Sequence, residues 1–224
     1  MQEKVILVDC DGVLLDWMYA FQQWMKRHGY VPRIGYGETD QDVYDVAVKY
    51  GLERNEKQRL CRMFNESATI RKVPPLRDSI KYVRKLHEEH GYVFHAITSL
   101  SNDEYAQHLR TKNLQELFGP TVFEKYVYLD TGADKDEELE FYRGTGCIWV
   151  EDKVENAIAG AKVGLESLVM EHSYNKDCDF PLMRNWKDIY NYVIGQWFPL
   201  KVACLGDFGP LFLKKKVNNE ICRL

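Results

Sequence analysis

The sequence lacks a long apolar run, a clustered cysteine pattern and any strong excess of one charge. No stretch approaches the roughly 18 apolar residues that a membrane-spanning helix needs. The start, MQEKVILVD, has too short an apolar run for a secretory leader and carries acid within it. These absences predict a soluble protein without a membrane partner. Cys10, Cys61, Cys147, Cys178, Cys204 and Cys222 are scattered, with no C-x-x-C pair and no histidine spacing suited to zinc. Scattered thiols of this kind predict a reducing, cytoplasmic setting. Thirty basic against 34 acidic residues leave a net charge of −4, so no global field draws a nucleic acid polymer. Internal repeats and low-complexity tracts are also missing, and nothing in the pattern speaks to oligomeric state.

What is present is a globular composition, 45% hydrophobic with 13% aromatics over 224 residues. That length suits one large domain, or a core carrying a small insert. Strand-like runs at Lys4–Val8, Tyr92–Ile97, Val122–Leu129, Cys147–Val150 and Ser167–Met170 alternate with helical patterns. The helices expected between them cover Arg77–His90, Asp103–Lys112, Asp136–Tyr142 and Val154–Val163. Such alternation predicts an α/β, Rossmann-like parallel sheet with helices on both faces. Residues 16–73 break the pattern: Trp17–His28, Asp40–Tyr50 and Glu56–Asn65 read as helices with no strand among them. They form an expected helical insert directly after the first strand. The core is then 1–15 and 74–195, and 196–224 is a C-terminal extension without a legible role.

Chemistry-bearing residues cluster at the expected strand ends. VILVDCDGV places Asp9 and Asp11 behind four buried apolar residues, with Gly12 suited to a sharp turn. Two carboxylates held this close repel unless a cation joins them or one keeps its proton. AITSLSN puts the hydroxyls of Thr98 and Ser99 ahead of a helix, a geometry suited to an anion; by themselves they read equally as capping residues. Lys135, in GADKDEEL, taken alone is a solvated surface charge. CIWVEDKVEN again sets acid, Glu151 and Asp152, at a strand's carboxyl end. A hard cation such as Mg²⁺ takes oxygen ligands and retains waters, so one or two carboxylates plus a substrate phosphate suffice.

DCDGV, then Thr98, then Lys135, then Glu151-Asp152, in that order, resemble the four motifs of the haloacid dehalogenase superfamily over the core. The resemblance implies Asp9 as nucleophile on phosphorus and Asp11 as acid–base, Thr98 and Ser99 with Lys135 at the phosphate, and Mg²⁺ as cofactor. Its ligands would be Asp9, the main-chain carbonyl of Asp11 and Asp152, with Glu151 behind them. It also makes the helical insert a cap over the site. A narrower likeness is to the 5'(3')-deoxyribonucleotidases, through DGVLLDW, the Thr-Ser pair, Tyr174-Asn175 and Asn185-Trp186. The implied activity is hydrolysis of small phosphate monoesters, with (deoxy)nucleoside 5'-monophosphates preferred and Trp17 a residue that can stack on a base. The Glu151-Asp152 form is closer to sugar-phosphate phosphatases and phosphomutases, which makes those the alternative. An idle binding module on the same fold is the rival from another class.

Overall fold

The structure, a computed structural model, describes residues 4–33 and 45–195. The six strands are β1 (Val5–Val8), β2 (Val93–Ser99), β3 (Phe123–Leu129), β4 (Ile148–Glu151), β5 (Glu166–Met170) and β6 (Leu182–Met183). They form one parallel sheet in the order β3-β2-β1-β4-β5-β6. In sequence the chain moves outward from β1 to β3, then crosses back to place β4 on β1's other side. The point of reversal lies between β1 and β4, the position where open α/β sheets bind ligands at their carboxyl ends.

The apolar run of β1 follows from burial on both faces. Ile6 and Val8 join the larger core cluster, and Leu7 joins a second cluster with Ile97, Leu139 and Trp149 on the opposite face. The covering helices are α4 (Ser79–His90), α5 (Glu104–Phe118), α6 (Asp136–Glu140), α7 (Val154–Lys162) and α8 (Trp186–Val193). Helix α4 ends where Gly91 adopts a left-handed conformation, φ +69°, the stop its position predicts. Helix α7 lies close on the sheet because Gly160 has no side chain. A Cβ there would sit 2.5 Å from Trp149 Cδ1 and 2.8 Å from Ser167 Oγ.

Between β1 and α4 the described residues contain helices and no strand of the sheet: α1 (Trp17–Arg27), α2 (Val46–Tyr50), α3 (Arg54–Asn65) and a 3-10 helix, Ala68–Lys72. Residues 40–44 of the expected helix Asp40–Tyr50 lie outside the described residues, as does the extension 196–224. The chain leaves and re-enters the core side by side. Asp16 N donates to Pro74 O at 2.9 Å, and Leu76 N donates to Leu14 O at 2.9 Å.

Several expectations need correction. The helix expected over Asp103–Lys112 runs on to Phe118, where its last turn buries Leu114 and Phe118. The expected helix Asp136–Tyr142 stops at Glu140. The sheet gains a sixth strand of two residues, too short to leave a period-2 signal. No described helix is long and apolar enough to cross a membrane.

Candidate active site

β1 ends at Val8, and Asp9 N donates to Val150 O at 3.0 Å, so the first acid is fixed against β4 by main-chain pairing. The following turn is tight: Leu14 N and Leu15 N both reach Cys10 O at 2.9 Å. Gly12 sits in this turn at φ +79°, and a Cβ there would lie 2.5 Å from Asp152 Oδ2. Only glycine lets the β1 turn approach the β4 acid this closely.

Asp9, Glu151 and Asp152 are buried, and each offers a carboxylate oxygen within 4.8 Å of the others. Lys135, itself 2% exposed, reaches Asp9 Oδ1 at 2.7 Å and Glu151 Oε1 at 2.8 Å. Glu151 is bound on every side. Its Oε2 accepts from Asp152 N at 2.5 Å and Lys153 N at 3.1 Å, and its Oε1 also accepts from Asn156 Nδ2. Tyr174 Oη donates to Asp152 Oδ2, and Asn175 Nδ2 donates to Asp152 O at 2.8 Å. His172 Nε2 pairs with Gly12 O at 2.7 Å, so the loop after β5 touches both acidic turns.

The electrostatics follow from this packing. Burial pushes the Asp9 carboxyl up to about 6, against the pull of Lys135. Burial also raises Asp152, helped by the charge of Glu151. Glu151 would rise by burial too, but Lys135 and hydrogen bonds with Asp152 and Asn156 hold it down at about 2. The Lys135 ammonium, disfavoured by burial, is raised by Asp9 and Glu151 and stays charged. With all three acids ionised, one lysine would leave two net negative charges in a buried site. Two orphaned polar atoms complete it: Asp152 Oδ1 and Thr98 Oγ1 are buried with no partner among the described residues. A divalent cation beside the acids and an anion beside Thr98 fit both the charge and the unpaired atoms.

The structure thus brings Asp9, Lys135, Glu151 and Asp152 into direct contact or shared bonding, with Asp11 one turn along. Ser99 is placed differently from Thr98: its hydroxyl donates to Ala133 O at 2.7 Å, tying β2 to the loop that carries Lys135. Trp17 stacks on Phe21 with centroids 4.7 Å apart, so one ring face is covered by the insert's own core. Its indole N–H donates to Asn65 Oδ1 at 2.9 Å, and Asn65 Nδ2 donates to Leu100 O at 2.8 Å, just past β2.

Sequence reasoning missed Arg110. This α5 residue has a fully buried side chain, and its Nη1 lies 2.6 Å from Asp11 Oδ1. The available signal was a cation on a helix face otherwise filled by Ala106, Leu109, Asn113 and Leu114.

No family model matches the sequence. An uncharacterized 32.4 kDa protein from the Gp30-rIII intergenic region of enterobacteria phage T4 is 26% identical over 136 residues. The match takes in 60% of this chain and 48% of that protein, so the chain spans about half the length of its curated relative. Among solved structures, a haloacid dehalogenase family hydrolase from Deinococcus radiodurans R1, with phosphate and sodium bound, has a TM-score of 0.55 at 14% identity. The superposition covers 88% of this chain and 99% of that one. YfnB of Bacillus subtilis, assigned as a hydrolase of the same superfamily and bound to magnesium, gives 0.55 at 14% identity over 87% and 100%. CbbY of Rhodobacter sphaeroides, in complex with phosphate, gives 0.52 at 15% over 84% and 96%. The chain has the α/β fold of the haloacid dehalogenase-like hydrolases, with its acid cluster at the carboxyl ends of β1 and β4.

Proposed function

We propose that the protein is a Mg²⁺-dependent phosphatase of small phosphate monoesters, working through an aspartyl-phosphate on Asp9. The observation that carries this reading is the buried triad Asp9, Glu151 and Asp152 bridged by Lys135, with Asp152 Oδ1 unpaired within it and Thr98 Oγ1 buried and unpaired near the carboxyl end of the neighbouring β2. Asp9, Asp152 and the main-chain carbonyl of Asp11 would hold Mg²⁺, which supplies charge neutralisation at the phosphoryl group.

In the first half-reaction an Asp9 carboxylate oxygen bonds to phosphorus while the ester P–O bond breaks, and Asp11 gives its proton to the departing oxygen. In the second, Asp11 takes a proton from water, the water oxygen bonds to phosphorus, and the P–O bond to Asp9 breaks to release phosphate. Thr98 donates to a phosphoryl oxygen, and Lys135 holds Asp9 in line while offsetting charge. Glu151 orients Lys135 through its fixed carboxylate. The helical insert, 16–73, acts as a cap that limits substrates to small esters.

For the ester, a nucleoside 5'-monophosphate is the preferred reading, supported by Trp17 and its link through Asn65 to the turn after β2. Sugar phosphates stand beside it on the Glu151-Asp152 pair. A phosphate-release panel over deoxynucleoside monophosphates, ribonucleoside monophosphates and sugar phosphates, with Mg²⁺ and with EDTA, decides between them. The expected result is chelator-sensitive release, lost in Asp9→Asn. Undiminished release in EDTA, or in Asp9→Asn, removes the proposal.

A further inference from the structure

Among the described residues Arg110 is the largest fully buried charged side chain, and the residue roles proposed above do not use it. Its side chain is 0% exposed, and it contacts one acid, Asp11, through Nη1. Nε and Nη2 are buried with no hydrogen-bond partner among the described residues. Among the described residues, Asp11 is the one acid within ion-pair distance of Arg110.

A buried guanidinium bound this way is not a stability device. Breaking such a pair destabilises a fold, yet replacing both members with apolar groups is often neutral or stabilising. Structural needs of α5 are met elsewhere: Asn113, one turn on, donates to Arg71 O and Val73 O at 3.2 and 3.1 Å. What the pair does achieve is geometric. Asp11 lies in a loop, its side chain is still 22% exposed, and Arg110 Nη1 donates a hydrogen bond to its Oδ1. The guanidinium comes from a 15-residue helix packed on the sheet, a far stiffer support than the turn.

We propose that Arg110 is a positioning residue that anchors the Asp11 carboxyl where it serves the leaving oxygen of the ester. This rests on the phosphatase reading and adds a residue to it. Arg110 does not touch the phosphoryl group; it acts through Asp11. A leaving group that departs readily as an anion needs little protonation, whereas an alkoxide needs it strongly. The anchor therefore matters for alkyl phosphates and little for aryl phosphates.

The test compares kcat/KM for p-nitrophenyl phosphate and for an alkyl phosphate in wild type, Arg110→Lys and Arg110→Met, with Mg²⁺ present. kcat/KM reports only steps up to transfer onto Asp9, so hydrolysis of the intermediate does not enter. In Arg110→Met the alkyl ester should lose about 10²-fold, the usual scale of a general acid, and the aryl ester only a few-fold. Arg110→Lys should recover part of the alkyl loss. If Arg110→Met fails to fold, the same contrast is read in Arg110→Lys, whose alkyl loss should still exceed its aryl loss. Equal losses on both esters, or none on either, overturn the role of Arg110 alone. Wild-type protein inert toward both esters overturns the phosphatase reading itself.

Discussion

Gly12 is a residue at which an added Cβ would run into Asp152, and its substitution separates local strain from general damage. Gly12→Ala places a Cβ 2.5 Å from Asp152 Oδ2 and 2.9 Å from its Cγ, at a φ of +79°. The backbone strain alone is worth about 1–3 kcal/mol, and the clash must push Asp152 off its place beside Asp9. Urea denaturation should show a loss of that size, with phosphate release falling by more than the stability loss explains. Gly91→Ala is the control: it shares the left-handed conformation, φ +69°, but nothing lies within 4 Å of the added carbon. Equal effects of the two variants on turnover would mean that proximity to Asp152 does not matter. The acids around Gly12 were legible in the sequence because they sit where buried strands stop, and that signal is local. Lys135 was less so: among Asp134, Asp136, Glu137 and Glu138 it reads as a surface charge, and only its distant partners Asp9 and Glu151 show why it is buried. Arg110 left only the signal of a cation on a buried helix face, since its partner Asp11 is 99 positions away.

At the scale of elements, the helical segment meets the core through the Ala68–Lys72 3-10 helix against α5 and through α3, and two contacts of α3 differ in kind. Arg62 forms a two-pronged ion pair with Asp130, both bonds 2.8 Å, but the side chains are 44% and 38% exposed. Asn65 is buried and joins three elements, accepting from Trp17 of α1 and donating to Leu100 past β2. Exposed pairs contribute about 0.2–1 kcal/mol and fade with salt. A buried amide whose loss strands two partners costs about 1–3 kcal/mol. Asn65→Ala should therefore exceed Arg62→Ala in urea denaturation, and the gap should widen as salt is added. A larger loss in Arg62→Ala would mean that the insert is held by its ionic rim. Five of the six strands among the described residues were legible as apolar runs, as was the helical stretch after β1. The sixth was not, because two residues carry no period. The expected end of α5 at Lys112 fell short of the stop that Gly119-Pro120 marks, because the last turn carries no basic residue.

On the scale of the whole molecule, the site taxes the fold that carries it. Folding buries Asp9, Glu151 and Asp152 together with one lysine, so the metal-free protein holds two net negative charges unless protons neutralise them. The sign follows from the shifts. Asp9, raised from 3.8 to about 6, lends stability that is complete below about pH 3.8 and is lost as pH rises through about 6. Asp152 is raised as well and acts in the same direction. Glu151, lowered from 4.5 to about 2, opposes them, but its contribution is lost only as pH falls toward about 2. In EDTA the melting temperature should therefore drop between about pH 5 and pH 7.5. A dication held by the same acids must displace those protons, so its affinity weakens below about pH 6. At neutral pH, Mg²⁺ at roughly a hundred times its Kd should stabilise by about 2.7 kcal/mol. For a chain of this size that is a rise of roughly 5–10 °C. Scanning calorimetry with Mg²⁺ against EDTA at the two pH values measures the linkage directly, and the magnesium increment should be the larger at the higher pH. An increment independent of pH would place the ion on groups other than Asp9 and Asp152.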